Sequence, residues 1–393
     1  MRVLHIVTGL ASGGAERQLL LTLRNLPAHQ RCEVATLTNP GAVAGALRAD
    51  GVLVHDIAMR GNRDVGALPR LVRLIRTGGY DLVHTHLYRA GLYGRLAARL
   101  AGVRAVVATE HSLHPGVIEG RPVTPGVKGL YLASERLGRT TVAVSRQVER
   151  TLHGWGVPPA RVELIPNGID AARYGWPVGQ RAAIRRRTRD DLGLPQGSWV
   201  VGAVGRLVPG KRFDVLLDAL AQLDGPRLVL IGGGPERAAL ERRAERLGVR
   251  GRVLLTGERD DVPELLTALD VLAAPSTEET FGLGVLEGLA AGLPVRHSAC
   301  PALDELPPAA APGARRIPSD PAAYAAALRE LYDRRAGGTR PLAPAPAVAH
   351  YDIARAAADL GALYDRLVYD RPLHGRPLHD HPVPGPVPAP PGT

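Results

Sequence analysis

Short apolar runs alternate with amphipathic segments along the first 170 residues. The runs have the length and β-branched composition of buried strands, and the segments between them carry apolar residues at helical spacing. Strands that alternate with helices in this way are typical of a parallel sheet covered by helices. The predicted strands cover residues 2–7, 32–37, 52–57, 81–84, 104–108, 140–144 and 162–165.

The same alternation starts again after residue 198. Its predicted strands cover residues 199–204, 227–231, 252–256, 270–274 and 294–295. We therefore predict an α/β chain of two Rossmann-like, doubly wound parallel-sheet domains.

Composition marks the boundaries between the predicted parts of the chain. A turn signal at Asn167–Gly168 is followed by a basic, poorly patterned stretch, and a Pro- and Ala-rich gap precedes the last helical pattern. The tail lacks core-forming periodicity and is expected to be disordered. The predicted parts are an N-terminal domain (1–170), a linker with the hinge (171–198), a C-terminal domain (199–347), a final helix (348–368) and the tail (369–393).

Two glutamates follow the predicted strand 270–274. Glu279 lies before the Phe281–Gly282 turn, and Glu287 lies eight positions later, in a helix predicted from Gly284 to Ala291. Ligands of open α/β sheets bind at the carboxyl ends of the strands, where carboxylates can accept hydrogen bonds from sugar hydroxyls. A nucleotide-sugar suits this arrangement, whereas an isolated pair would more often be a solvated loop residue and a helix-surface residue.

A glycine turn after strand 199–204 carries Arg206 and Lys211 ahead of a predicted helix. Two cations five positions apart can hold a diphosphate from two directions, and a helix N-terminus adds partial positive charge. Of 49 lysines and arginines, only Lys128 and Lys211 are lysines. A lysine in so arginine-rich a chain suggests a need for a compact ammonium group, although chance also accounts for a single lysine.

Composition narrows the class of protein. At 393 residues, with 45% hydrophobic and 22% charged residues, the chain is expected to be a soluble globular protein of two or three domains. We expect no signal peptide, because the first strand begins at Arg2, and no membrane span, because no apolar run is long enough. The only cysteines, Cys32 and Cys300, favour a reducing cytoplasm over a disulfide framework.

The formal net charge of +11 indicates attraction to anionic partners. Nucleic acid is disfavoured, because the arginines are dispersed, aromatic residues make up only 4% of the chain and the sequence has no zinc-ligand set. An anionic membrane surface is the better candidate, since Arg70, Arg73 and Arg76 recur at helical spacing beside apolar residues. An ordinary half-buried surface helix fits the same pattern.

The glycine loop Gly9–Gly14 follows the first predicted strand, as dinucleotide-binding loops do. Its spacing is not G-x-G-x-x-G, and the second strand ends without an acidic residue for a cofactor ribose. A dehydrogenase is therefore disfavoured, and no cofactor is expected. We also expect no metal, because no Asp-x-Asp pair occupies a strand-end loop, and because a solvated tail explains His374, His379 and His381 better than a metal site does.

Taken in order, these motifs resemble those of the retaining GT-B glycosyltransferases of family 4, and the resemblance covers nearly the whole chain. The N-terminal half contributes Thr8–Arg17, Asp81–His86, Thr109–Ser112, Val142–Ser145 and Ile165–Asp170. The C-terminal half contributes Gly202–Lys211, Leu230–Glu236 and Glu279–Glu287. The resemblance implies the GT-B fold, in which two domains face a central cleft and the final helix crosses back to the first domain.

The resemblance also implies catalytic roles. Arg206 and Lys211 would stabilise the leaving diphosphate in place of a metal. Glu279 would hold hydroxyls of the sugar, and Glu287 would hold the ribose diol, which suits UDP or GDP donors. His111 would contact the transferred sugar near its reacting carbon, with a core histidine as the alternative.

Further positions complete the predicted site. Gly13 and Gly14 would approach the donor phosphates or the acceptor from across the cleft, although a structural turn explains them equally well. His84 is more consistent with a structural role. The remaining donor-site candidates are Gly232, Phe281, Gly282 and Leu283, and the acceptor-site candidates are His86 and Ser112.

One segment departs from the family pattern. Where the family carries paired glycines ahead of a glutamate, this chain has Pro301 and Ala302 ahead of Glu305. The flexibility or the backbone contacts of that loop are therefore expected to differ, either in a specialised subgroup or with weakened activity.

The activity implied is transfer of a sugar from a nucleoside-diphosphate sugar to an acceptor hydroxyl, with retention of configuration, in polysaccharide, glycolipid or other glycoconjugate synthesis. The acceptor would be a lipid-linked sugar or a small molecule. The protein would act in the cytoplasm, at the inner face of the plasma membrane if it binds lipid. A nucleotide-sugar epimerase of the same fold and a non-catalytic nucleotide-sugar-binding protein are the alternatives.

Overall fold

The computed structural model describes residues 1–11, 13–61, 64–114, 116–334 and 341–369. The predicted disordered tail, apart from Tyr369, lies outside the described residues, and so do its three histidines. Within those residues the chain forms two parallel sheets whose strands are connected mainly by helices. This confirms the predicted α/β class with two doubly wound sheets.

The described residues of the N-terminal half form nine strands. They are β1 (Arg2–Gly9), β2 (Arg31–Asn39), β3 (Val54–Asp56), β4 (Leu82–His86), β5 (Ala105–Glu110), β6 (Val117–Ile118), β7 (Arg121–Pro122), β8 (Thr140–Ala143) and β9 (Val162–Leu164). Seven of them form a parallel sheet in the order β3-β2-β1-β4-β5-β8-β9, and each overlaps a predicted strand. The antiparallel hairpin β6–β7 was not predicted, because strands of two residues show no periodicity.

Six helices connect these strands. They are α1 (Gly14–Asn25), α2 (Gly41–Ala49), α3 (Ala67–Gly78), α4 (Tyr88–Ala101), α5 (Pro125–Glu135) and α6 (Arg146–Trp155). A seventh helix, α7 (Val178–Asp191), lies between the two sheets in sequence, inside the stretch predicted as a linker.

In the part of the C-terminal half that the structure describes, there are six strands and eight α-helices. The strands are β10 (Val200–Val204), β11 (Arg227–Ile231), β12 (Val253–Gly257), β13 (Val271–Ala274), β14 (Val295–His297) and β15 (Ala314–Arg316). They form a parallel sheet in the order β12-β11-β10-β13-β14-β15. The sequence did not predict β15, whose three residues lie at the sheet edge with two of them exposed.

The remaining helices follow in chain order. They are α8 (Phe213–Ala221), α9 (Arg237–Arg246), α10 (Val262–Thr267), α11 (Leu283–Ala290), α12 (Pro301–Asp304), α13 (Pro321–Asp333), α14 (Pro346–His350) and α15 (Ile353–Tyr369). The last of them, α15, packs on the N-terminal sheet, where Leu360, Leu363 and Tyr364 share a core with side chains of β1, β4 and β5.

Helix α7 is anchored to the C-terminal domain by charge pairs. Arg185 lies 2.7 Å from one carboxylate oxygen of Asp270, and Arg189 lies 3.0 Å from the other. Arg189 and Asp270 are both buried, and Arg189 also donates to backbone carbonyls, as a buried guanidinium requires. The basic residues of this stretch therefore bind protein groups rather than forming an unstructured segment.

Helix α3 carries the arginines considered for membrane binding. Its apolar residues Leu71 and Ile75 are buried in the N-terminal core. Arg70 donates to Ile57 O at 2.9 Å, and Arg76 donates to a backbone carbonyl of α4. These contacts are those of a half-buried surface helix, so an anionic surface would meet its charged face and not its apolar one. In the part of the chain that the structure describes, no helix is long and apolar enough to cross a membrane.

Candidate functional site

Lys211 and Glu279 meet at the carboxyl ends of neighbouring strands. Strand β10 leads into the turn that carries Lys211, and its neighbour β13 leads into the loop that carries Glu279. Lys211 Nζ lies 2.5 Å from Glu279 Oε1, and both side chains are half-buried. The sequence-predicted cation and carboxylate are thus brought together in the crevice where parallel sheets bind ligands.

Arg206 occupies the same turn and is exposed. The turn is held against the loop that follows β11, because Leu207 N donates to Gly233 O at 2.8 Å. Gly232 has a φ of +143°, and a Cβ there would lie 2.1 Å from Gly205 O. Gly232 therefore supports the Arg206 turn through its backbone, since no side chain fits.

The Phe281–Gly282 turn between Glu279 and α11 rests on buried contacts. Phe281 is buried, and its ring packs edge-on against Tyr351 with centroids 5.0 Å apart. Gly282 has a φ of +103°, and a Cβ there would lie 2.5 Å from Cys300 Sγ. Only the backbone of this turn is therefore placed to contact a donor, and the Phe281 side chain anchors the loop.

The segment that departs from the family pattern lies beneath this turn. Pro301 begins α12, and Ala302 N donates to Phe281 O at 2.9 Å. Glu305 Oε1 accepts a hydrogen bond from Arg146 N, the first residue of α6, at 2.7 Å. Where glycines would leave a flexible loop, this chain has a hydrogen-bonded segment that links the two domains.

Glu287 lies on α11 and is oriented by residues that the sequence analysis missed. The Tyr174 hydroxyl donates to Glu287 Oε1 at 3.1 Å. Burial raises the pKa of Glu287, and the Arg17 guanidinium of the N-terminal domain opposes that rise. Tyr174 lies in the predicted linker, which offered no signal for it, whereas Arg17 lies within the N-terminal motif of the resemblance.

We expect Tyr174→Phe to weaken nucleoside diphosphate binding by about 0.5 to 1.5 kcal/mol, because Glu287 loses the hydroxyl that orients it. Isothermal titration calorimetry with UDP and GDP measures the change. Tyr324→Phe is the matched control, since its buried hydroxyl bonds to Ser298 and not to Glu287. Equal losses for both variants would contradict the orienting role.

The loop that carries Glu279 is hydrogen-bonded to the N-terminal domain. Thr280 Oγ1 donates to His111 O at 2.6 Å, and the Ser145 hydroxyl donates to Thr280 O at 2.6 Å. Arg17 also crosses the boundary and donates to the Arg259 carbonyl. These contacts place the end of β5 beside the donor-side loop. Neither Ser145 nor Thr280 has a role predicted from the sequence, because a contact across domains leaves no local pattern.

The glycines of the N-terminal loop lie at the same boundary. Gly13 is the N-cap of α1, and a Cβ there would lie 2.2 Å from Glu16 Oε2. The Glu16 carboxylate, from the third helical position, thus lies over Gly13, and burial raises the pKa of Glu16 to about 6. A Cβ on Gly14 would lie 3.7 Å from Leu283 Cδ1. Gly14 therefore faces the start of α11 across the cleft.

The acceptor-side candidates are less open than the sequence analysis expected. His111 Nε2 lies 3.1 Å from His86 Nδ1, and His86 Nε2 lies 3.0 Å from His5 Nδ1. Both ring nitrogens of His86 are therefore engaged inside the protein, and none is left for an acceptor. Ser112 is half-buried, and its carbonyl accepts from Glu119 N of the unpredicted hairpin at 3.0 Å.

The cleft combines groups with complementary chemistry. Arg206 and Lys211 are suited to a diphosphate, and Glu279 and Glu287 are suited to hydroxyl groups. Burial lowers the pKa of His111 to about 4, so its imidazole is neutral at pH 7. The arrangement can hold a ligand with a diphosphate between two polyhydroxylated ends.

Two facing parallel-sheet domains with the site between them define the GT-B class of fold. The profile of Glycosyltransferase Family 4 matches residues 12–173, and that of Glycosyl transferases group 1 matches residues 184–340. A D-inositol 3-phosphate glycosyltransferase of Acidothermus cellulolyticus is 32% identical over 362 residues, which cover 84% of this chain and 77% of the relative. The chain belongs to glycosyltransferase family 4, the group 1 glycosyl transferases.

Other relatives match over shorter regions. A UDP-Gal:alpha-D-GlcNAc-diphosphoundecaprenol alpha-1,3-galactosyltransferase of Escherichia coli is 30% identical over 240 residues, 59% of this chain. A D-inositol 3-phosphate glycosyltransferase of Salinispora tropica is 32% identical over 277 residues, 65% of this chain. The chain spans 61% and 57% of the lengths of these two relatives.

Solved structures share the fold. Anabaena HepE in complex with UDP and glucose superposes with a TM-score of 0.78 at 22% identity, covering 92% of this chain and 99% of HepE. WaaG, a glycosyltransferase involved in lipopolysaccharide biosynthesis, superposes with a TM-score of 0.68 at 20% identity, covering 93% of this chain and 99% of WaaG. Both matches extend over both sheets.

Proposed function

We propose that this protein is a glycosyltransferase that moves a sugar from a nucleoside-diphosphate sugar to an acceptor hydroxyl with retention of configuration. The observation that carries the proposal is the meeting of Lys211 and Glu279 at adjacent strand ends, with Glu287 on the following helix. Thr280 ties this loop to His111 of the opposite domain. The cation and the two carboxylates thus lie near the backbone of His111, which supports a shared donor site.

In the proposed reaction the bond between the anomeric carbon and the diphosphate oxygen breaks, and the bonding electrons leave with the diphosphate. Arg206 and Lys211 are the residues to stabilise the developing negative charge. The acceptor oxygen bonds to the anomeric carbon on the face that the diphosphate leaves. Its proton passes to a diphosphate oxygen, so no protein base is required.

The donor is proposed to carry uracil. The Escherichia coli relative is named for UDP-Gal, and Glu287 provides a carboxylate of the kind that accepts from a ribose diol. A GDP donor would satisfy the same carboxylate. The acceptor is proposed to be a lipid-linked sugar or a small polyol, since the curated relatives are named for one or the other.

A donor panel tests the proposal. The purified chain is incubated with UDP-, GDP- and ADP-sugars, with and without candidate acceptors, and both nucleoside diphosphate and sugar products are measured. Acceptor-dependent release of the diphosphate supports the transferase. Conversion of one nucleotide-sugar into its epimer without an acceptor would identify an epimerase instead. Binding without any turnover would identify a non-catalytic binding protein.

Turnover is expected to be unchanged by EDTA, because Arg206 and Lys211 supply the positive charge that a divalent cation would otherwise bring to the diphosphate. The measurement is initial rate before and after chelation, followed by addition of Mg²⁺ or Mn²⁺. Loss of activity in EDTA with recovery on adding either cation would refute metal independence.

The N-terminal domain is also proposed to bind an anionic membrane surface through exposed arginines. Binding to vesicles that contain phosphatidylglycerol should exceed binding to neutral vesicles and should fall as salt rises. Arg73→Gln on α3 should weaken binding more than Arg242→Gln on α9, since both residues are exposed but lie on different domains. Equal binding to neutral vesicles would argue against an electrostatic surface.

A further inference from the structure

Four histidines form a cluster inside the N-terminal domain. His5 lies on β1, His84 and His86 lie on β4, and His111 follows β5. All four side chains are buried, with exposed fractions between 0% and 7%. Residue His5 is paired in register with His84, and alternate residues of a strand share a face, so the cluster lies on one side of the sheet.

Three of these histidines form a single hydrogen-bonded chain. His5 Nδ1 lies 3.0 Å from His86 Nε2, and His86 Nδ1 lies 3.1 Å from His111 Nε2. The two end atoms, His5 Nε2 and His111 Nδ1, are buried and have no hydrogen-bond partner among the described residues. The chain therefore runs from the interior of the sheet to the domain boundary.

His84 stands outside this chain. One of its ring nitrogens is bonded to the Tyr364 hydroxyl of α15, and the other lies 2.7 Å from Thr109 Oγ1. One ring nitrogen from each of His5, His84 and His86 lies within 4.8 Å of the other two, a spacing that a metal ion could use. Both nitrogens of His84 are already engaged, however, so a hydrogen-bonded role accounts for its geometry without a metal.

The hydrogen bonds among His5, His86 and His111 must all run in the same direction. A neutral imidazole has one N–H donor and one acceptor nitrogen, so two contacts among three rings leave one N–H at one end and one lone pair at the other. Burial holds all three rings neutral, with the pKa of His5 lowered to about 3 and that of His111 to about 4. Only two arrangements of the protons are therefore available.

The two ends differ in what can reach them. His5 has an exposed fraction of 0% and lies under α15, beside the Tyr364 ring. His111 keeps an exposed fraction of 7%, and its backbone carbonyl accepts a hydrogen bond from Thr280 of the donor-side loop, so a ligand in the cleft can supply a partner for its ring. Buried N–H groups without a partner are rarer in proteins than acceptors without one. The lone pair is therefore favoured at His5, and the N–H at His111.

We propose that His5 and His86 are positioning residues that hold the proton of His111 on Nδ1, so that His111 donates a hydrogen bond to a hydroxyl oxygen of the bound nucleotide-sugar. This inference rests on the proposed transferase function for its ligand, but the direction of the chain does not depend on that function. It also reassigns His86 from direct contact with the acceptor to action through His111.

¹⁵N NMR of the protein labelled with ¹⁵N-histidine tests the direction of the hydrogen bonds among the three histidines without any substrate. The signals are assigned by single-histidine variants. His5, His86 and His111 are each expected to carry the proton on Nδ1, the less populated tautomer of a neutral histidine side chain in water. A proton on Nε2 of His111 would overturn the proposal, and so would one equivalent of tightly bound zinc in elemental analysis, because zinc would occupy these lone pairs.

Variants then test the effect on turnover. His5→Leu removes the donor to His86, and it should lower kcat by about tenfold while changing KM for UDP-glucose, or for the donor found active, by less than about twofold. His5→Asn keeps a donor at the Nδ1 position and should restore most of the loss, which also controls for misfolding. Tyr364→Phe, which removes only the bond to His84, should change kcat by less than about twofold.

The outcomes separate the two proposals. If the wild-type chain transfers no sugar but the tautomers are as expected, the proposed function fails and the histidine chain stands. If His5→Leu and His5→Asn are folded and both turn over at the wild-type rate, the positioning role fails whatever the tautomers are. If Tyr364→Phe loses as much activity as His5→Leu, the effect of the cluster is structural and the proposal is wrong.

Discussion

Replacing Lys211 with alanine is expected to lower kcat by about 100- to 1,000-fold, the usual cost of removing one preorganised charge from a developing anion. Lys211 projects from the β10 turn to within 2.5 Å of Glu279, in the crevice at the strand ends. A donor diphosphate there would compete with Glu279 for the ammonium group. Negative charge grows on the diphosphate as the sugar leaves, so the contact strengthens in the transition state and kcat should fall more than KM rises.

The chain provides a matched control for this variant. Lys128 is the only other lysine, and it lies on α5 of the N-terminal domain, away from the β10 turn. Lys128→Ala should leave kcat unchanged, and both variants should unfold at nearly the same temperature as the wild type. Steady-state kinetics with the active donor measure kcat and KM for both variants and the wild type. A Lys211→Ala enzyme within about threefold of wild-type kcat would exclude the proposed role in leaving-group stabilisation.

Exchange of each cleft glutamate for glutamine is expected to separate nucleoside recognition from sugar recognition. Glu287 is proposed to hold the ribose diol, so Glu287→Gln should weaken binding of the bare nucleoside diphosphate by about 1 to 3 kcal/mol. Glu279→Gln should leave that affinity nearly intact, because the bare nucleotide has no sugar. Turnover of the full donor should nevertheless fall, since Glu279 is proposed to hold the sugar hydroxyls beside Lys211.

Calorimetry with UDP and rates with the full donor test this pair of variants together. Glu278→Gln is the control, because Glu278 precedes Glu279 in the same loop and is exposed. It should change neither the affinity for the nucleotide nor the turnover. If nucleotide affinity falls for Glu279→Gln and holds for Glu287→Gln, the donor lies in the opposite orientation in the cleft.

Local patterns were sufficient to predict most of the fold. Strands such as β11 and β13 are nearly continuous apolar runs because parallel strands are buried on both faces, and that pattern is visible in a single sequence. The same signal is missing from β15, which has two exposed residues of three, and from the two-residue strands of the β6–β7 hairpin. Helix α7 has no apolar face that a sequence pattern would show. Contacts of its arginines with Asp270 and nearby backbone carbonyls help hold it in place instead.

The proximity of the residues on the donor side of the candidate site could also be predicted from the sequence. Parallel strands end at a common edge, so residues that follow β10 and β13 must lie close together once the strands are predicted. Lys211 and Glu279 meet as that rule requires. The Phe281 side chain departs from the prediction, since its ring fills the core against Tyr351 instead of facing the cleft.

The sequence by itself determined the α/β class, the two sheets, the strand ends that carry Lys211 and Glu279, and the helix that carries Glu287. Buried strands, amphipathic helices and turns each have a periodic or local pattern that a single sequence shows. Only the tertiary structure decided which side chains complete the site. Tyr174 reaches Glu287 from 113 positions away, and Thr280 reaches His111 from 169 positions away. Hydrogen bonds between groups so distant along the chain depend on tertiary packing, within the C-terminal core for Tyr174 and between the domains for Thr280, and that packing has no periodic signature in the sequence.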